Sequence, residues 1–324
     1  MSRAPMIAAL GASVSVLFLA GCTGGVKCAP SPAAASPAPP AGGAPAPSWD
    51  ELRDATFRGI GEAAQPVTLA GGRWEGEPWV KGGAARPSVA LIENVYLSGD
   101  LDGDGEGEAV VMLGGCSGGS GFNSYLSVMG RRGGRPGNLG TALLGDRVQI
   151  RGARIDGQRI LVDLVQAGPS DAACCPGDLV SRRFALSGDG LIEPVPATTT
   201  GRLALAAFAG REWLLRAWNV GEAAPDVPPV TLTLEDGRIA GNAGCNSYFA
   251  TATDGENPGA IVIGPIGSTR KICEPPLTDV EDRYLRQLSH VTRYGFMFGR
   301  LTLTYQIDAG AGAMLFEARS RMLR

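Results

Sequence analysis

The sequence predicts an α+β chain, mainly antiparallel β, with two small β-rich domains that each pack about one helix. Three observations carry this. Forty-eight glycines in 324 residues, against 6% aromatic residues, favour turn-rich sheets over a helical bundle. Short apolar runs alternate and meet at Asp156-Gly157 and Asp236-Gly237, dipeptides suited to tight hairpins. Each half also holds one helical signal: the Ser48-Trp49-Asp50-Glu51 capping box, and the stripe Val280, Tyr284, Leu288, Val291.

The first 47 residues stand apart from these domains. Arg3 precedes an apolar run from Met6 to Leu19, too short to span a bilayer and suited to the core of a signal peptide. The run ends in Leu19-Ala20-Gly21-Cys22, which resembles the lipobox of bacterial lipoproteins. The resemblance implies a signal peptide over residues 1–21 and a lipid on Cys22, anchoring the chain without spanning the membrane. Thr23 is not the aspartate that retains such proteins at the inner membrane. An outer-membrane lipoprotein facing the periplasm is the expectation for a diderm envelope. Residues 22–47 then form a tether: Cys28–Pro47 holds seven prolines and no charge, so it cannot bury a core and extends instead.

The N-terminal domain, residues 48–200, opens on a short helix at Trp49. Strands are expected at Ser88–Leu97, Glu108–Leu113, Tyr125–Met129, Val148–Ile155, Ile160–Val165 and Arg183–Leu186. Glycine-rich segments 114–121 and 131–137 read as turns.

Between the first two of these strands lies Ser98-Gly99-Asp100-Leu101-Asp102-Gly103-Asp104-Gly105-Glu106-Gly107-Glu108, with five carboxylates. Asp100, Asp102, Asp104 and Gly105 occupy positions 1, 3, 5 and 6 of a calcium loop, a pattern that turns carboxylates toward one hard cation. Position 12 is Val111 rather than a bidentate glutamate, so an EF-hand is not expected. Glu108 at position 9 instead resembles the strand–loop–strand calcium loops of integrin-type propellers, which come in tandem; this chain has one copy. A weak structural calcium site on Asp100, Asp102, Asp104, Glu106 and Glu108 and a plain acidic turn both stay open. No other cofactor is expected.

Seven cysteines, less Cys22, leave six in an exported chain, which points to disulfides. Zinc is disfavoured by the absence of a C-x-x-C pair and by the single histidine. Cys116 is expected to bond Cys175, because adjacent cysteines seldom bond each other. Cys174 then remains for Cys28 or stays reduced.

The C-terminal domain, residues 203–320, follows the threonine-rich stretch Pro196–Gly201, read as a linker. Trp213–Trp218 opens it, and Val230–Leu234 and Arg238–Gly241 form a hairpin. After an irregular stretch, Thr278 with Glu281 reads as a capping box for a helix whose apolar stripe faces a sheet. Phe296–Phe298 and Leu301–Tyr305 make a second hairpin around Gly299-Arg300, and Met314–Glu317 closes the sheet.

Several of these residues resemble a known domain. They are Trp213, Gly241, Gly244-Cys245-Asn246, Ser268-Thr269-Arg270, Cys273, Glu281 and the closing Leu301-Thr302-Leu303 and Leu315-Phe316 strands. In this order they resemble the META domain, also called HslJ-like, over residues 208–318. The resemblance implies a compact antiparallel β domain with one helix, found in exported bacterial proteins and associated with envelope stress. It implies no enzymatic activity, and it implies that Cys245 and Cys273 are bonded. Separately, Gly99–Val111, Gly118–Gly121 and Leu144–Val148 resemble an uncharacterised extracytoplasmic lipoprotein domain over residues 85–165, which carries no assigned activity.

A net charge of −3 and the lack of a basic stripe with interleaved aromatics argue against nucleic acid. His290 ends the predicted helix, where a histidine is favoured by the dipole, and no G-x-S-x-G, H-E-x-x-H or P-loop appears. The expectation is therefore a non-enzymatic cell-envelope lipoprotein, bound to the membrane through Cys22. Its β domains would bind an envelope or secretion protein in envelope maintenance or stress. The alternative is a tethered inhibitor of a lysozyme or protease.

Overall fold

A computed structural model describes residues 43–319 apart from Ala64, Ala173, Asp189 and Ala309; Cys22 and Cys28 lie outside the described residues. The described residues are mainly antiparallel β with two α-helices.

Helix α1 (Trp49–Leu52) begins at the Ser48 cap, where Ser48 and Glu51 bond each other's backbone N–H as a capping box. A two-stranded ribbon follows, β1 (Thr56–Phe57) and β2 (Val67–Thr68). The central sheet is an antiparallel meander of β3 (Arg73–Glu75), β4 (Ser88–Gly99), β5 (Glu108–Cys116), β6 (Asn123–Arg132) and β7 (Arg135–Asp146). The second sheet holds β8 (Gln149–Asp156), β9 (Arg159–Gln166) and β10 (Asp178–Ser187). Its far edge is shared by β11 (Gly190–Ile192) and β12 (Thr198–Arg202), which pair with opposite ends of β10.

These two sheets pack face to face. Val110, Met112, Leu126 and Val128 of the first meet Ile160, Val162, Leu164 and Phe184 of the second in one buried cluster. The other face of the first sheet is covered by Leu52, Phe57, Val67 and Leu69, which meet Val111, Leu113 and Tyr125. β5 is thus buried on both faces, which explains its unbroken Ala109–Leu113 apolar run where an exposed strand would alternate.

The C-terminal domain is one strongly curled sheet. Its order is β17 (Ile261–Ile263), β16 (Ser247–Asp254), β15 (Arg238–Asn242), β14 (Thr231–Glu235), β13 (Glu212–Trp218), β21 (Gly310–Ala318), β20 (Arg300–Ile307) and β19 (Val291–Met297). The short β18 (Gly267–Ser268) pairs with β16. The two edges meet: Ala260 bridges Arg293, and Tyr294 N–H donates to Gly259 O at 2.7 Å. Closure leaves few unpaired edge groups. β16 alternates exposed and buried residues as a barrel wall should. Trp213, Tyr248, Phe296 and Phe316 fill the inside with Tyr284 and Leu288 of α2 (Leu277–Leu288).

Four local expectations are corrected. The Arg131–Gly137 segment is the β6–β7 hairpin, and β7 continues to Asp146. Pro196–Gly201 is not a free linker, because Thr198–Arg202 adds a strand to β10. Helix α2 starts after Pro276 without a side-chain cap, since the Glu281 carboxylate is drawn to Asn246 instead. Val291 lies beyond the helix as the first residue of β19, buried there.

The two domains touch through the β19–β20 turn. Phe298 packs against the sandwich core and edge-on to Phe122 at 6.3 Å. Its carbonyl accepts from Asn94 Nδ2 at 2.5 Å, and Gly299 N–H donates to Ile150 O at 2.9 Å.

Candidate functional site

The C-terminal motif residues meet around one buried side chain. Asn246, 5% exposed, sits in the turn between β15 and β16. Its Oδ1 accepts from Thr269 Oγ1 at 2.7 Å and from Lys271 N–H at 2.8 Å. Its Nδ2 donates to Glu281 Oε1 at 3.1 Å and to Lys271 O at 3.3 Å, and its own N–H donates to Glu281 Oε2 at 2.6 Å. One amide therefore joins a strand turn, the 269–273 loop and helix α2. Burying it without these partners would cost about 1–3 kcal/mol per unsatisfied group.

The neighbouring Cys245 and Cys273 are disulfide-bonded, with Cα atoms 6.1 Å apart. Bond and amide together hold the loop from both sides. Its outer surface is Arg270, Lys271 and Ile272, all exposed, with Ile272 98% exposed. Below this, Tyr248 OH and Tyr284 OH lie 2.6 Å apart, and Tyr248 OH donates to Thr231 O at 3.0 Å. Burial raises both phenols well above the ordinary range, so they stay protonated and act as internal struts.

The acidic loop closes the β4–β5 hairpin. Asp100 accepts from Gly103 N–H at 2.6 Å and Gly105 N–H at 3.1 Å, Asp102 from Asp104 N–H at 3.2 Å, and Asp104 from Glu106 N–H at 2.7 Å. Gly103 and Gly105 have φ of 84° and 85°, which suits glycine. Oxygens of Asp100, Asp102 and Glu108 lie within 4.8 Å of one another, which fits part of a hard-cation shell. Asp104 and Glu106 are not in that group, and Val111 is buried in the core. The loop's carboxylates also bond its own backbone.

Glu108 differs from the other four. It is 3% exposed and accepts from Leu101 N–H at 2.7 Å. Burial pushes its carboxyl up to about 7, the charges of Asp102, Asp104 and Asp100 add to the rise, and the Leu101 N–H opposes it.

The loop together with β4 and β6 clamps the end of the tether. Gly107 N–H donates to Ala44 O at 2.9 Å, Arg131 Nε to Pro45 O at 2.8 Å, and Tyr96 OH to Pro47 O at 3.0 Å. Arg131 also grips Glu51 through two bonds of 2.8 and 2.9 Å, which lowers the Glu51 carboxyl to about 2.

The expected Cys116–Cys175 bond is not formed; Cys175 pairs with Cys174. Asp171 explains the placement. It accepts from Gly168 and Gly177 N–H at 2.8 Å and from Arg202 on β12, curling the cysteine loop tightly beside the second sheet. Cys116 ends β5 in the first sheet, in register with Ser88.

His290 Nδ1 lies 2.8 Å from Arg286 O and 3.0 Å from Ser289 Oγ. A carbonyl at Nδ1 demands the N–H tautomer there, and Ser289 Oγ itself donates to Arg286 O at 2.9 Å. The pair caps a helix end rather than forming a base and nucleophile.

One polar cluster has no warning in the sequence. Glu62 is 6% exposed and accepts from Asn123 Nδ2 and Tyr125 OH, both at 2.7 Å, beneath Gly115. Burial, then the Glu62 hydrogen bond, pushes Tyr125 up to about 12. Glu62 lies in an irregular Gly/Ala-rich stretch, and only Gly115, where a Cβ would strike it, hints at its place.

No curated protein sequence matches the chain. Among solved structures, an NMR structure of a protein from Burkholderia xenovorans is 25% identical, covering 40% of this chain and 99% of its own, with a TM-score of 0.29. Residues 206–320, which form the curled sheet with its helix, match the META domain family, the one that the Gly244-Cys245-Asn246 and Ser268–Cys273 elements resemble.

Proposed function

We propose that the protein is a non-enzymatic, lipid-anchored component of the cell envelope whose META domain docks onto an envelope or secretion protein through its 269–273 loop. The observation that carries this is the division of labour at Asn246. The polar groups of Asn246, Thr269 and Glu281 are engaged in internal bonds, while Ile272 stands 98% exposed between a disulfide and a hydrogen-bonded anchor. A preorganised apolar tip loses little entropy on binding. Arg270 and Lys271 beside it favour an acidic partner surface. The Leu19–Cys22 element and the proline-rich tether support anchoring at the membrane, with the domains held off its surface.

The test is photo-crosslinking in intact cells from a reactive side chain placed at position 272, with one at Glu235 as control. An adduct with an envelope or secretion protein is expected from position 272 alone, and it should disappear when Lys271→Glu accompanies the probe. No adduct at rest or under envelope stress removes the docking reading. Stoichiometric inactivation of a purified lysozyme or protease would instead establish the tethered-inhibitor alternative.

A further inference from the structure

Four hairpin connections of the N-terminal sandwich come together at one pole: β4–β5, β6–β7, β8–β9 and β10–β11. Between them lies a cleft of about 470 Å³, within the usual range for small-ligand sites. Leu101 and Leu139 supply apolar wall, and Leu101 is 2% exposed, part of the sandwich core. The polar wall carries both signs. Arg132 ends β6 and Arg159 begins β9; neither guanidinium has an ion-pair or hydrogen-bond partner among the described residues. Asp102 of the acidic loop faces the same cleft, with Gln158 beside it.

This combination is selective. A simple anion would meet Asp102, and a simple cation would meet two guanidinium groups. A ligand bearing both charges and an apolar group satisfies all three features. Arginine forks match a carboxylate, and an aspartate matches an ammonium. The loops are held from behind, so the wall is in place before a ligand arrives: Asp100 and Asp102 close the acidic loop on its own backbone, and Gly107 is tied to Ala44.

We propose that the cleft binds a short apolar peptide or α-amino acid with free ends, its carboxylate held by Arg132 and Arg159 and its ammonium by Asp102. The site is remote in sequence from the 269–273 loop and stands independently of the docking reading. It places a small-molecule function on the N-terminal domain.

Equilibrium dialysis of the full chain in detergent against labelled alanyl-leucine tests this, with the N-acetyl and C-amide forms and inorganic phosphate as competitors. Saturable binding is expected, weakened by about tenfold or more when either end is blocked. The Arg132→Ala/Arg159→Ala double variant should lose binding while keeping its unfolding midpoint. Asp102→Asn, which keeps an oxygen for Asp104 N–H, should weaken the free dipeptide and leave the N-acetyl form unchanged. No saturation by about 10 mM, or equal binding of free and blocked forms, overturns the proposal. Displacement by phosphate at the same strength as by the dipeptide also overturns it, leaving an anion site only.

Discussion

Asn246 and Glu281 face each other across the barrel mouth: the amide N–H of Asn246 donates to Glu281 Oε2 at 2.6 Å while its side-chain Nδ2 donates to Oε1 at 3.1 Å. A helix carboxylate thus fixes both the backbone and the side chain of the residue that holds the exposed loop. Replacing Asn246 by alanine leaves Glu281, Lys271 and Thr269 with unmet hydrogen bonds in a part-buried site. The expected loss is about 2–4 kcal/mol, read from urea unfolding. Asn246→Asp brings a second carboxylate against Glu281 and should be no better. A loss below about 0.5 kcal/mol for Asn246→Ala would mean the loop stands without its hub.

The disulfide contributes separately. Cys245 and Cys273 are 28 residues apart, and closing a loop of that length is worth about 3–4 kcal/mol in the chain-entropy model. The Cys245→Ser/Cys273→Ser variant should unfold at lower urea by that amount, and dithiothreitol should reproduce the shift in the native chain. Equal midpoints with and without reductant would show that Asn246 alone suffices.

These two residues also show how far the sequence is legible. The Gly244-Cys245-Asn246 and Ser268–Cys273 elements mark the domain and the cysteine pair, because rare residues at set spacing survive any shift in strand boundaries. The role of Glu281 is not legible: three residues after Thr278 it fits a local capping box, and only the fold brings Asn246 to it from 35 residues away. β7 hides because Arg135–Asp146 holds three glycines and a proline and borrows its order from β6. β12 hides because Thr198–Arg202 is mostly exposed, so nothing in its polarity separates an edge strand from a linker. Strands such as β5 and β9, whose side chains are mostly buried, announce themselves. In the candidate calcium loop the spacing points to five carboxylates, and folding gathers three of them.

Glu108 gives the chain a pH dependence with a definite sign. Its folded-state value is raised from 4.5 to about 7, so between those limits the folded chain holds a proton that the unfolded chain has released. Stability from this group is full below about pH 4.5 and falls as pH rises through about 7. Glu108→Gln removes the charge and keeps the acceptor for Leu101 N–H. It should match the native chain near pH 4.5 and exceed it at pH 8 by about 2–3 kcal/mol. A difference that is the same at both pH values would show that Glu108 does not titrate in this window.

The tether clamp should be visible to a protease. Arg131 holds Pro45 O and Glu51 at once, so Arg131→Ala loosens the segment from Gly43 to Pro47 and leaves it on the Gly107 and Tyr96 bonds. The pair is partly solvated, and a stability loss of only about 1 kcal/mol is expected. Cleavage next to Ser48 should nevertheless accelerate, because local opening governs it. Unchanged cleavage in Arg131→Ala would place the hold on Gly107 and Tyr96 instead.

Gln149 couples the two domains. Its Oε1 accepts from the buried Phe296 N–H at 2.9 Å, and the Arg151 guanidinium lies 5.3 Å from the centre of the Phe296 ring. Gln149→Ala strands a buried N–H, at a cost of about 1–3 kcal/mol. Phe298→Ser removes the side chain that enters the sandwich core and faces Phe122. Trp49, Trp74 and Trp79 report on the sandwich, and Trp213 and Trp218 on the barrel. In the native chain fluorescence and circular dichroism should unfold together. In the double variant the two curves should draw apart, because coupling then rests on the Asn94–Phe298 O, Gly299–Ile150 O and Arg151–Ala207 O bonds. Coincident curves in the double variant would mean that the 149–296 contact rides on the domains' association rather than holding it.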